Sequence, residues 1–222
     1  MMKNYKINKH DGLWKFILIA FIVIIILLIL FPPTQQNNVV SPKIDNINPN
    51  NNFYTEIPVD TCNLSGKRES MAKVDIGVDT DTITRNYFGY TNHNGQLIKV
   101  DAEQLFLQTK EEEKHKGRYC KDEAKVPGTE NEKYDQGHVI ADSLGGASNA
   151  YNITPEVAQV NRKGGQQYNL EQEFIKILKE GGSITNLVVL ITYPDEHTMT
   201  PSSYEFRWVQ NASSRSLIID NR

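Results

Sequence analysis

The chain has 222 residues, with 24 Lys and Arg against 27 Asp and Glu, for a formal net charge of −3. That length suits one folded domain with an appendage. The near balance of charge excludes reading a nucleic-acid partner from bulk charge, although a local basic cluster can still carry phosphate contacts.

Residues 1–12 carry Lys3, Lys6 and Lys9 and read as a cytoplasmic N-terminus. Residues 13–31 are apolar except for Lys15, which can snorkel to the interface, and the part from Phe16 to Phe31, "FILIAFIVIIILLILF", contains no charge, Gly or Pro. A membrane-spanning helix needs about 20 such residues. No small-x-small cleavage site follows, so an uncleaved transmembrane anchor is expected rather than a signal peptide. Lysines precede this segment and none follows until Lys43. That asymmetry predicts a single-pass cell-membrane protein, N-terminus inside and the remainder extracytoplasmic. Residues 32–54 are rich in Asn, Gln and Pro and read as a flexible tether.

Residues 55–222 have globular texture. Cys62 and Cys120 both fall on the outer side, where a bridge between them would persist; a pair of free thiols is the alternative. Asn63, Asn152 and Asn211 each begin a glycosylation sequon. Asn94-Gly95 between two β-prone runs predicts a hairpin. Asp101 is positioned to cap a short helix over "AEQLFLQ". Residues 111–132 read as a charged loop containing Lys114, Lys116, Arg118 and Lys121. Leu170, Phe174, Ile177 and Leu178 have helical spacing, and Gly181 ends the run. "ITNLVVLITY", "YEFRW" and "SLIID" read as strands. Strands on both sides of central helices predict an α+β domain.

Three chemistry-bearing blocks stand close together: "DQGH" at Asp135–His138, "YNITPE" at Tyr151–Glu156 and "VNRKGGQQYNLEQE" at Val160–Glu173. Histidine is the side chain whose ordinary pKa suits deprotonating a water near neutrality. A hard cation stabilises charge at a phosphate, and Mg²⁺ accepts oxygen ligands such as an Asn carbonyl while keeping waters that a Glu can hold. Each type also has an ordinary reading. Asn161 suits a helix cap, Asn152 an Asx-turn, and Glu171 the first turn of a helix. His93, His115 and His197 lack such company and read as surface residues, and Tyr168 and Trp208 as core. Gly145 and Gly146 read as turn formers.

The order and spacing of the blocks resemble the DNA/RNA non-specific endonucleases of the ββα-metal, or His-Me finger, class. The resemblance covers about Tyr87 to Trp208. It implies a ββα-metal core with a central antiparallel sheet. It also implies a phosphodiester hydrolase acting on DNA and RNA with Mg²⁺ (or Mn²⁺). Carried over, His138 is the general base, Asn161 the direct metal ligand, and Asn152 a support of the loop or of the ligand shell. Glu171 touches metal-bound water or the helix end, with Glu173 as fallback. Arg85 or Arg118 faces the scissile phosphate. The usual Arg before Gly-His is Gln136 here, and Glu156 stands where Gln is common. A catalytically decayed nucleic-acid-binding protein on the same scaffold is therefore the alternative, with a membrane-anchored interaction protein behind it. An inhibitor or immunity protein is a partner that the resemblance admits.

Overall fold

The computed structural model describes residues 53–222. The expected membrane anchor and nearly all of the tether lie outside the described residues. Among the described residues nine strands form two sheets: β1 (Thr55–Glu56), β2 (Ala72–Asp75), β3 (Tyr87–Thr91), β4 (Leu97–Gln104), β5 (Tyr134–His138), β6 (Ile153–Val157), β7 (Ile184–Thr192), β8 (Ser203–Gln210) and β9 (Ser213–Asp220). Seven make one sheet in the order β1-β2-β3-β4-β7-β8-β9, and β5 pairs only with β6. β1 (Thr55–Glu56) runs parallel to β2 (Ala72–Asp75), and every other pairing is antiparallel.

β3 (Tyr87–Thr91) and β4 (Leu97–Gln104) form the predicted hairpin. Asn92 Oδ1 accepts the backbone N–H groups of Asn94 and Gln96, and Gly95 takes φ +76°, a left-handed conformation in which glycine carries no Cβ penalty. β4 takes the first three residues of the stretch expected to be helical, Ala102–Gln104, and the remaining four form no helix. Asp101 pairs with Phe88 on one side and with Val188 of β7 (Ile184–Thr192) on the other. Val100 and Ala102 are buried. Two flanking ladders and an alternating apolar face outweigh the local helical preference of "AEQLFLQ".

β8 (Ser203–Gln210) alternates in the same way, with Tyr204, Phe206 and Trp208 buried, and β9 (Ser213–Asp220) closes the edge. A short helix α1 (Ala158–Asn161) and a longer one, α2 (Gln166–Lys179), follow β6 (Ile153–Val157). α2 buries Leu170 and Phe174, and the Phe174 ring meets Trp208 edge-on at 5.2 Å. Removing such a ring costs about 3–5 kcal/mol. Leu105, Ile140, Leu144, Leu187 and Phe206 surround the same helix face, so the core lies between α2 and the large sheet. Gly181, at φ +80°, follows the helix end. Cys62 and Cys120 form a disulfide across 58 positions of sequence.

Candidate active site

β5 (Tyr134–His138) and β6 form a hairpin whose register places His138 opposite Ile153 and Asp135 opposite Glu156. Gly137 precedes the histidine for a steric reason. A Cβ there would stand 2.2 Å from Glu156 Oε2, so only glycine lets that side chain pack across the strand. The chain leaves β5, turns through a 3₁₀ helix at Asp142–Leu144, and returns to β6. Asn152 braces this return. Its Oδ1 accepts the Ile140 N–H at 2.9 Å, and its Nδ2 donates to the carbonyls of Ile140 and Ala147, both at 2.8 Å.

Asn152 is fully buried and its amide is engaged entirely with backbone. The resemblance implied a support of the loop or of the ligand shell, grouped with the metal site; with its amide engaged by backbone, Asn152 supports the loop and is not a metal ligand. Burial also closes its glycosylation sequon in the folded chain. Arg85 is corrected as well. Its guanidinium is buried against Glu112, with Nη1 donating to Oε1 at 2.8 Å, and Nη2 donates to the Leu107 carbonyl at 3.1 Å. It packs beside Gly145, where a Cβ would lie 2.1 Å from Arg85 Nε. This cation holds interior structure together and cannot meet a phosphate from solvent.

Arg118 takes the exposed position instead. An open cleft of about 310 Å³ is lined by Arg118, Gln136, His138, Asp142, Asn161 and Glu171. Three residues separated in sequence (His138 on β5, Asn161 ending α1 and Glu171 on α2) thus share one surface. Glu173 is exposed away from it. Arg118 pairs with Glu123, and the loop carrying it is fixed by Asp142, whose two oxygens accept the Tyr119 N–H at 3.2 Å.

Burial lowers the His138 imidazole to about 4, and the Arg118 charge pushes the same way. The ring is therefore neutral at neutral pH. Burial raises the Glu171 carboxyl to about 7, opposed in part by the Gln167 side chain one helical turn back. Glu156 lies opposite Asp135 and is pushed well above the ordinary range by burial, then by the charges of Glu171 and Asp135. Asn161 Nδ2 donates to Asp135 Oδ2 at 3.4 Å, and no donor among the described residues reaches its Oδ1.

Two groups near the histidine were not singled out by the sequence. Gln167 donates through Nε2 to the His138 carbonyl at 3.3 Å, and Ser148 Oγ lies 3.2 Å from His138 Nε2. Gln167 stands four residues before Glu171, a spacing that hinted at a shared helix face. Nothing in the pattern pointed to Ser148.

A family model described as DNA/RNA non-specific endonuclease matches residues 78–210, more than half of the chain. The chain belongs to the DNA/RNA non-specific endonuclease family. Its reaction class is accordingly the hydrolysis of phosphodiester bonds, and the whole of the cleft lies within the matched span. The type VII secretion system protein EssD of Staphylococcus aureus is 28% identical over 106 residues, which is 46% of this chain and 16% of that protein. The chain thus spans a small part of the length of this relative. Among solved structures, NucA from Streptococcus agalactiae with magnesium bound is similar at a TM-score of 0.47 and 14% identity, covering 65% of this chain and 75% of that one. The same nuclease with no metal bound gives 0.46 and 16%, covering 66% and 75%.

Proposed function

We propose that the domain cleaves DNA and RNA internally, with little sequence preference, by attack of a water deprotonated by His138. The observation that carries this reading is the convergence of His138, Asn161, Glu171 and Arg118 on one open cleft. The neutral imidazole accepts the water's proton. Arg118, at the cleft rim, faces the negatively charged phosphate, a role in which a guanidinium is effective because it is always charged and can donate twice.

The donor set fits Mg²⁺ (or Mn²⁺). Asn161 offers a carbonyl oxygen that no donor among the described residues reaches, and Glu171 offers a carboxyl on the same surface. Asn161 would hold the ion directly and Glu171 would hold its waters, an arrangement suited to a hard, hydrated cation. When bound, such an ion supplies positive charge against the phosphate and the departing oxygen. NucA with magnesium bound is in keeping with this choice.

The same reading places the domain outside the cell membrane, held by residues 13–31 with the N-terminus inside. The Cys62–Cys120 disulfide supports an oxidising compartment. The likeness to a secretion-system protein points the same way. The test is digestion of plasmid and of RNA by the full chain, with and without chelator, beside His138→Ala. Nicking that needs the cation and vanishes in the variant, with the fold intact, is expected. Undiminished cleavage by His138→Ala would overturn the assignment, and binding without any cleavage would favour the decayed scaffold.

A further inference from the structure

A neutral imidazole has one N–H and one lone pair, and it serves as a base only if the lone pair faces the reacting water. His138 therefore needs a partner that fixes which nitrogen carries the proton. Its Nε2 lies 3.2 Å from Ser148 Oγ. Ser148 is 3% exposed, and its hydroxyl has no other side-chain partner among the described residues. The serine's backbone is fixed at both ends. Its N–H donates to the Thr61 carbonyl at 3.1 Å, and its own carbonyl accepts the Ala124 N–H at 2.8 Å. The histidine's backbone is held too, by Gln167 on its carbonyl and by the Val139 N–H donating to Asn152 at 2.8 Å. Both partners of the ring contact are thus anchored from outside it.

A serine hydroxyl can donate or accept, so distance alone does not assign the proton. The geometry of the base does. With Nε2 occupied by Ser148, Nδ1 is the nitrogen left for a water in the cleft that His138 lines. A base needs its lone pair on that nitrogen, so the proton belongs on the other. The inward nitrogen is Nε2, facing the buried Ser148.

We propose that Ser148 is a positioning residue that accepts the Nε2–H of His138, so that Nδ1 presents its lone pair to the cleft. The inference rests on the reading of His138 as the general base. Without the hydroxyl, Nε2–H loses its buried acceptor, the Nδ1–H form gains population, and the ring is freer to rotate. No covalent step changes; only the fraction of enzyme holding a usable base does.

The test is ¹⁵N NMR of the histidine rings in the full chain, with the His138 resonances identified by their loss in His138→Gln, combined with steady-state cleavage. The wild-type ring is expected as the Nε2–H form. Ser148→Ala is expected to lower kcat by about 10- to 100-fold, the range found when partners that orient catalytic ligands are removed. KM should be unchanged and the Nδ1–H form should rise, while Ser148→Thr, which keeps a hydroxyl, should restore both. A wild-type ring in the Nδ1–H form overturns the proposal with no variant needed. So does a Ser148→Ala enzyme of full kcat, or one whose kcat falls with no change in tautomer. Failure of the underlying reading shows separately, as cleavage that survives His138→Ala.

Discussion

Asp135 Oδ2 accepts the Nδ2–H of Asn161 at 3.4 Å across 26 positions of sequence. The same carboxylate grips the neighbouring Arg162 through Nε at 2.9 Å and Nη2 at 2.7 Å. The amide is thereby turned with its nitrogen toward β5 and its oxygen away from it, the orientation that a ligand to a cation requires. The acidic residue of "DQGH" thus acts on the asparagine rather than on the histidine it precedes.

Asp135→Ala is accordingly expected to weaken Mg²⁺ or Mn²⁺ binding by about 10- to 100-fold, as loss of an orienting partner does. Asn161→Ala should weaken it further. Calorimetric titration of the folded variants with either ion checks this. Unchanged affinity in both would remove Asn161 from the metal site.

The pH dependence follows from two shifts of opposite sign. His138 is lowered from 6.5 to about 4 by burial and Arg118. Its contribution to stability is present above 6.5 and is lost as pH falls toward 4, because the unfolded chain binds the proton first. Glu171 is raised from 4.5 to about 7 by burial, so its contribution is full below 4.5 and is lost as pH rises toward 7. Binding of a cation favours the ionised carboxylate, so Mg²⁺ affinity should climb between pH 6 and pH 8, with proton release below pH 7. Replacing Glu171 with Gln should flatten that climb. Affinity that is independent of pH in the wild type would contradict the placement of Glu171 beside the cation.

The two arginines considered for the phosphate should separate cleanly. Arg118→Ala is expected to cut kcat/KM by about 10-fold or more while leaving stability within about 0.5 kcal/mol, as for an exposed ion pair. Arg85→Ala should instead destabilise the fold by about 3–5 kcal/mol, because it leaves Glu112, 4% exposed, as a buried charge without its partner. Urea unfolding and cleavage assays on the same preparations distinguish the outcomes.

Asn152 satisfies three backbone groups of the loop that carries the histidine to its place. Each buried group left unpaired costs about 1–3 kcal/mol. Asn152→Ala should therefore lower stability by about 3 kcal/mol or more and lower activity through the loop. A fully stable, inactive variant would point to a direct role at the cation instead.

The parts of the site legible in the sequence were those whose spacing is dictated locally. Gly-His fits the close packing of Glu156 over Gly137, and the apolar rhythm of Leu170 and Phe174 fixes which face of α2 meets the sheet. It did not choose between Glu171 and Glu173, which both flank that face; the cleft does, because only Glu171 lines it. What stayed hidden depends on contacts between distant segments. Arg85 was not distinguishable from a surface cation because Glu112, its partner, lies 27 positions away. The end of β4, Ala102–Gln104, looked helical because its ladders to β3 and β7 leave no local trace. Ser148 became visible only once the loop had folded back against β5.

Reducing the disulfide, or replacing both cysteines with serine, should lower stability by about 4 kcal/mol, the loop-closure entropy for 58 residues. Cleavage should fall by more than the population of unfolded chain explains. Denaturation curves and initial rates with and without reductant check both parts.

That second effect arises from where the bridge is attached. Cys120 lies two residues beyond Arg118, and Cys62 directly follows Thr61, whose carbonyl anchors Ser148. One covalent link therefore tensions both walls of the cleft, the cation on one side and the histidine's support on the other. A chain kept in a reducing medium would lack that link, and both walls would lose their common brace at once.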